Sequence, residues 1–251
     1  AIPYTLAPTM TVPPTQSPTP LATLSPQAAQ IEIARLMATN DDCLGPCFWG
    51  IKPGVTNFDQ AVSFLKTLTD KELEKTIDSI RYFYPTFKYK DDRLTIILAI
   101  SESNGIVQGL GAGLYGMHAQ DVTGNDWLAF RPDSFLKANG IPKQVKVVMS
   151  EGPEGRLSYG MVFIYNGMLI SYDGNQIIIK PENILHACPI ADQNIEQVEL
   201  RLGQYDAKKW NGWIDLSQIT PLTVNEFYQI LVGDPKTACF DLDYQRFLAG
   251  K

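Results

Sequence analysis

The chain has no apolar run near the ~20 residues that a membrane-spanning helix needs. Its longest strongly apolar stretch, Leu94-Thr95-Ile96-Ile97-Leu98-Ala99-Ile100, has the length of a strand. It also has no basic cluster: the densest cationic spot is Lys208-Lys209, and the net charge is −6. That excludes a phosphate-binding nucleic-acid surface and disfavours an anionic membrane surface. Histidine is scarce, with only His118 and His186, and no HExxH or GxSxG motif surrounds either. Zinc-protease and serine-hydrolase chemistry therefore lack their usual residues, and both histidines are expected to be structural or solvated. No CxxC pair occurs, which argues against a four-cysteine metal site. Finally, no charged residue precedes Glu32.

What is present begins with that uncharged segment. Residues 1–26 are rich in Pro and Thr. Proline fixes φ and removes a backbone donor, so this arm is expected to be extended and close to polyproline II. Ile2, Tyr4, Leu6, Met10 and Val12 all occupy even positions, while Pro3, Thr5, Ala7, Thr9 and Thr11 lie between them. Period two in an extended segment puts the apolar side chains on one face, as in a strand that adds to a sheet edge or fills a groove in a neighbour. Pro3 and Pro8 fit such a strand if their missing donors face outward. The competing reading is a free, O-glycosylated stalk.

Four cysteines remain: Cys43, Cys47, Cys188 and Cys239. Their even number, with a chain that opens on Ala1 and not Met, predicts an exported protein whose signal has been removed and whose cysteines form two disulfides. A lipidated cysteine just upstream of Ala1 is the alternative start. Gly45-Pro46 favours a turn that brings Cys43 to Cys47, leaving Cys188 for Cys239; the main competitor ties the 43/47 segment to the carboxy-terminal cysteines. The expected location is extracellular or cell-surface.

Hydrophobic periodicity predicts a short helix over 27–37, stopped by Asn40-Asp41-Asp42. A second helix follows Thr56, read as its N-cap with Asp59 at N3, and buries Phe58, Val62, Leu65 and Leu68. A third covers 132–138, ended by Gly140 and Pro142. A fourth follows the capping box Thr223-Val224-Asn225-Glu226 and ends at Gly233-Asp234-Pro235. Strands are expected over 94–100, 106–114, 145–149, 157–165, 168–172, 176–179 and 195–202. Asn166-Gly167 signals a type I′ hairpin, and Asp173-Gly174 a further turn. The predicted fold class is α+β: an antiparallel meander sheet with short capped helices on one face, built as two tandem helix-plus-sheet units behind the arm. The expected division is an arm over 1–28, unit one over 29–125, unit two over 126–185, and a disulfide-linked segment over 186–251.

Ile51-Lys52-Pro53-Gly54-Val55-Thr56, followed by a helix and then strands, resembles the I-x-x-G-x-T opening of the β-lactamase-inhibitor-like fold, which small outer-membrane assembly lipoproteins share. The stretch 130–165 is similar in order, and the resemblance covers residues 48–180. Leu68-Thr69-Asp70-Lys71 departs from it by lacking the Gly-x-Pro helix end, and the last 60 residues or so lie outside it. The resemblance implies protein–protein contact and carries over no site residues.

Several motifs invite chemistry. Gly111-Ala112-Gly113-Leu114-Tyr115-Gly116 fits GxGxxG, but Gly124 comes too soon for the helix that a pyrophosphate needs, so a glycine-rich strand end is expected and no cofactor. Asp121 to Asp126 is a poor match to a calcium loop, and the pairs Asp41-Asp42, Asp91-Asp92 and Asp241/Asp243 read as turns. Trp49, Trp127, Trp210 and Trp213 are candidates for an interface or a glycan platform, and Trp210-Asn211-Gly212-Trp213 is the best of them, because a glycine turn exposes both rings. No metal site and no catalytic residues are expected. The function predicted is that of a secreted, non-enzymatic surface protein that self-associates through its arm, plausibly a filament or sheath subunit. The alternatives are a protein-binding module with the arm as spacer, and an unrecognised hydrolase with paired carboxylates. The expected partners are copies of the chain itself, with other surface proteins or glycans behind them.

Overall fold

A computed structural model describes residues 22–69, 71–90, 93–116, 126–151, 157–176, 178–180, 184–190, 195, 197–203 and 212–249. Helix α1 (Pro26–Thr39) starts with proline in its first turn and Ser25 as N-cap, and buries Ala29, Ile33, Leu36 and Met37. Helix α2 (Phe58–Lys66) is capped by Asn57, whose side chain accepts from Gln60 N; Thr56 instead accepts from Lys52 N at 2.8 Å. The expected cap is thus displaced by one residue, because Thr56 closes the preceding turn. Four strands follow: β1 (Glu72–Ile77), β2 (Ile80–Tyr89), β3 (Leu94–Ser103) and β4 (Ile106–Gly116).

Helix α3 (Pro132–Asn139) opens the second half and stops at Gly140, whose φ of 75° is left-handed. Strands β5 (Gln144–Glu151), β6 (Leu157–Tyr165) and β7 (Met168–Gln176) then form a second meander. Asp173-Gly174 does not turn, contrary to the sequence reading. β7 runs through both residues, and the register shift lies opposite, between Tyr159 and Met161. Short strands β8 (Ile178–Lys180) and β9 (Ile184–Ala187) come next, then β10 (Gln197–Gly203) and β11 (Ile214–Asp215). Helices α4 (Leu216–Ile219) and α5 (Val224–Val232), strand β12 (Phe240–Asp243) and helix α6 (Tyr244–Ala249) complete the chain. The Thr223–Glu226 capping box of α5 forms as the sequence predicts, with Glu226 N donating to Thr223 Oγ1 and Thr223 N donating to Glu226 Oε2.

The fold is α+β. Nine described strands form one antiparallel sheet in the order β1-β2-β3-β4-β10-β7-β6-β5-β11, and β12-β9-β8 form a second. Each meander follows its own helix, and β10 joins them by pairing with β4 on one side and β7 on the other. The apolar faces of α1, α2, α3 and α5 close over one side of the large sheet in a single core that holds Phe83, Phe87, Ile96, Leu98, Leu114, Phe163, Ile170, Leu200 and Phe227. The Gly54-Val55-Thr56 loop is stitched to the start of β4: Gly54 N donates to Val107 O at 2.7 Å, and Val107 N to Thr56 O at 2.9 Å. Gly54 sits at φ 78°, which explains a glycine at that point of the loop.

Both cysteine pairs match the preferred connectivity, Cys43–Cys47 and Cys188–Cys239. Among the described residues no helix is long and apolar enough to cross a membrane.

Candidate functional site

Side chains alternate across a strand, so the face opposite the helices is carried by the other residue of each pair. On β2 these are Tyr82 and Tyr84, stacked with ring centroids 6.0 Å apart. On β3 they include Ile97, Ala99 and Ser101, and on β4 Gly109, Gly111 and Gly113. Register sets them in rows: Ala99, Gly111 and Arg201 in one, Ile97, Gly113 and Glu199 in the next. A strip of glycine in mid-sheet removes side chains from the centre and leaves a groove of about 330 Å³ between the tyrosines and Arg201. This is the structural meaning of the GxGxxG match: the stretch lies in strand β4, as expected.

Two polar features edge the groove. Arg201 lies over Gly111, with its Nη1 3.6 Å from where a Cβ would be, and pairs with the buried carboxylate of Glu199. Tyr115 folds back over Gly113, where any Cβ would come within 2.5 Å of its ring. Burial, and then the charge of Glu199, push the Tyr115 hydroxyl above its ordinary value, with Arg201 pulling the other way. The other buried carboxylates are also held: Asp133 by Arg131 at 2.6 Å, and Asp126 by Lys90. These carboxylates serve ion pairs, and Asp133 and Asp126 sit on the helix side of the fold.

Towards the free end of the same sheet the open face becomes apolar. Leu73 pairs with Tyr84, Lys75 with Tyr82, and Ile77 with Ile80. Leu73, Ile77, Ile80 and Ile97 are between 38% and 49% exposed and form a patch with the two tyrosines. β1 ends the sheet, and no described strand pairs with its outer edge. Its acidic residues point to the helix side, where Lys66 of α2 reaches Glu72 at 3.0 Å and Glu74 at 2.9 Å. The hydrogen bond that Lys66 donates to Glu74, then the one it donates to Glu72, raises the Lys66 pKa. The acidic charges of this edge strand are thus drawn to the helix side, and the open face carries Leu73 and Ile77 with the exposed Lys75 between them.

The residues singled out in the sequence divide three ways. Ile2, Tyr4, Leu6, Met10 and Val12 lie outside the described residues, as do His118, Asp121 and Trp210. Just before α1, Leu24 N donates to Thr67 O at 3.0 Å, and Leu24 lines a groove with Lys71 and Thr86, beside the start of β1. Trp49 and Trp127 are core residues. Trp213 covers Val162 and Leu169 on the open face and comes within 3.0 Å of a Cβ built at Gly160. His186 Nδ1 meets Asp241 Oδ1 at 2.6 Å. The edge strand β1 and the tyrosine pair were missed by the sequence reading. Leu73, Lys75, Ile77 and the even residues of β2 do alternate, but the charges between them masked the signal. No family model, curated protein or solved structure matches the chain.

Proposed function

We propose that this is a non-catalytic surface protein that self-associates by strand addition, the arm of one copy pairing with the free edge of β1 in the next. The observation that carries the reading is the β1 edge itself, whose open side presents Leu73 and Ile77, with Lys75 between them, beside Ile80, Tyr82 and Tyr84. An added strand with period-two apolar residues continues that patch, with Ile2, Tyr4, Leu6, Met10 and Val12 on the same side. The arm carries no charged side chain before Glu32, so it brings no ionised side chain of its own to be desolvated on docking. A contact in which different surfaces of identical copies meet is heterologous and propagates into rings or fibres.

Size-exclusion chromatography with light scattering tests this. The full chain is expected to assemble, and deletion of residues 1–14 to leave a folded monomer. Leu73→Asp with Ile77→Asp on the receiving edge should act like the deletion. Normal assembly of the truncated chain, or a monomeric full-length chain at all concentrations, overturns the proposal.

One observation favours a second reading, a monomeric module that binds another protein in the glycine-floored groove. Arg201 Nε is buried there and has no acceptor among the described residues. The Arg201 side chain is otherwise exposed, so its partner would be a protein offering a carboxylate or carbonyl to the guanidinium. Ser101→Trp would block this module and leave arm-driven assembly intact.

A further inference from the structure

Strands β9 and β12 bring four ligand-type side chains to one place. His186 lies opposite Asp241, and Ala187 opposite Phe240. One step further, Cys188 faces Cys239 across the disulfide, with Cα atoms 4.2 Å apart. Residues two apart, and residues directly opposite, share a face of an antiparallel pair. His186, Cys188, Cys239 and Asp241 therefore stand together on one side of the ladder. A ligand atom of His186 and both sulfurs all lie within 4.8 Å of one another. On the other side Leu185, Ala187, Phe240 and Leu242 are buried in the main core, which fixes the frame. His186 and Cys239 are only half-buried, so solvent reaches the cluster.

We propose that reduction of Cys188–Cys239 converts this cluster into a site for Zn²⁺, with Cys188, Cys239 and His186 as ligands and Asp241 orienting the imidazole. A dithiol reductant supplies two electrons and two protons and leaves as a disulfide; the Cys188–Cys239 bond breaks and two thiols form. Zn²⁺ then takes the two thiolates and one imidazole nitrogen, and the two thiol protons pass to solvent. A tetrahedral site with Zn–S of ~2.3 Å and Zn–N of ~2.0 Å places its ligand atoms roughly 3.5–4 Å apart; once the disulfide is broken the sulfurs need only part to that distance, with the imidazole already within 4.8 Å of both. Thiolate and imidazole donors favour zinc over calcium or magnesium. The 2.6 Å contact of Asp241 with Nδ1 is the carboxylate–histidine pairing that fixes ring orientation at zinc sites. In the oxidised protein the sulfurs are occupied by each other and the site does not exist. The cluster is thus a covalent cross-link under oxidising conditions and a metal cross-link under reducing ones.

The test uses the full chain with Cys43→Ser and Cys47→Ser, so that a single cysteine pair remains. The protein is reduced with a phosphine, freed of reductant without air, and titrated with Co²⁺ as a coloured substitute, followed by Zn²⁺. The expected result is one Co²⁺ per chain with sulfur-to-metal charge-transfer absorption, bleached by one equivalent of Zn²⁺, and no uptake by the oxidised protein. Asp241→Asn should weaken binding by about 10–100-fold, and His186→Ala by at least as much. Circular dichroism follows the fold throughout. A folded, reduced chain that takes up no Co²⁺ overturns the proposal. So does uptake indifferent to His186→Ala, or a sheet signal lost on reduction that Zn²⁺ does not restore.

Discussion

Tyr172 is fully buried in the core beside Phe163, with ring centroids 5.3 Å apart, and its hydroxyl has no partner among the described residues. Burial pushes that hydroxyl well above its ordinary value, and the nearby Tyr165 and Asp133 add to the effect. Tyr165 is raised chiefly by burial too, and donates to Gly140 O at 3.0 Å, tying β6 to the end of α3. An acid whose pKa is higher folded than unfolded binds its proton more tightly in the fold. Its contribution to stability is full below the unfolded value of about 10 and is lost as pH rises through the folded value. Alkali should therefore unfold the protein before these two phenols ionise. In a titration followed by tyrosinate absorbance, two groups should appear only with the loss of the sheet signal. Tyr172→Phe should cost little stability and soften the alkaline transition, because an unpaired buried hydroxyl is removed. Tyr165→Phe should cost about 1 kcal/mol through its lost hydrogen bond. Smooth ionisation of all tyrosines in a folded protein would contradict this account.

At the scale of elements, the end of α1 shows how a local signal organises the parts around it. Asn40 caps the helix at φ 52°, a left-handed conformation that Asn tolerates. Its amide then donates to Cys43 O and Cys47 O, both at 3.3 Å, and accepts from Trp49 N at 2.8 Å. One side chain thus holds the small disulfide loop and the turn that buries Trp49. Asn40→Ala should lower stability by about 1–3 kcal/mol through these lost bonds, and by roughly 1–2 kcal/mol more through left-handed strain. Asn40→Gly should escape only the second loss, so thermal melting should rank Asn above Gly above Ala. Equal melting of the two variants would mean that the backbone conformation does not matter there. This helix stop was legible, as were α3, α5 and the Asn166-Gly167 hairpin, because caps and turns are written in adjacent residues. Strands β3 to β7 were legible from apolar alternation, and the preferred disulfides from the Gly45-Pro46 turn. β1 and β2 were not, since Glu72, Glu74, Arg81 and Lys88 interrupt the apolar pattern. Of the His186–Cys188–Cys239–Asp241 cluster only the cysteine pair was legible: the halves lie 51 residues apart, and it takes the β9–β12 register to set His186 opposite Asp241.

For the whole molecule the deciding strand is β10. Each meander alone would end in an unpaired edge, β4 in one and β7 in the other. β10, arriving from the last third of the chain, pairs with both and buries Val198, Leu200 and Leu202 in the common core. The ladder across β4, β10 and β7 matches Leu200 to Ala112 on one side and to Ile170 on the other. The two helix-plus-sheet units then share a sheet and a core and should unfold together. Leu200→Ala removes a buried side chain from the seam and is expected to cost about 2–5 kcal/mol. If the seam couples the units, chemical denaturation of this variant remains a single transition at a lower midpoint, with fluorescence and circular dichroism coincident. Leu200→Pro should prevent folding of both halves, because it removes a ladder donor from a central strand. If Leu200→Ala instead separates the curve into two transitions, with one unit retaining its original midpoint, the units are independent domains and β10 is only their linker.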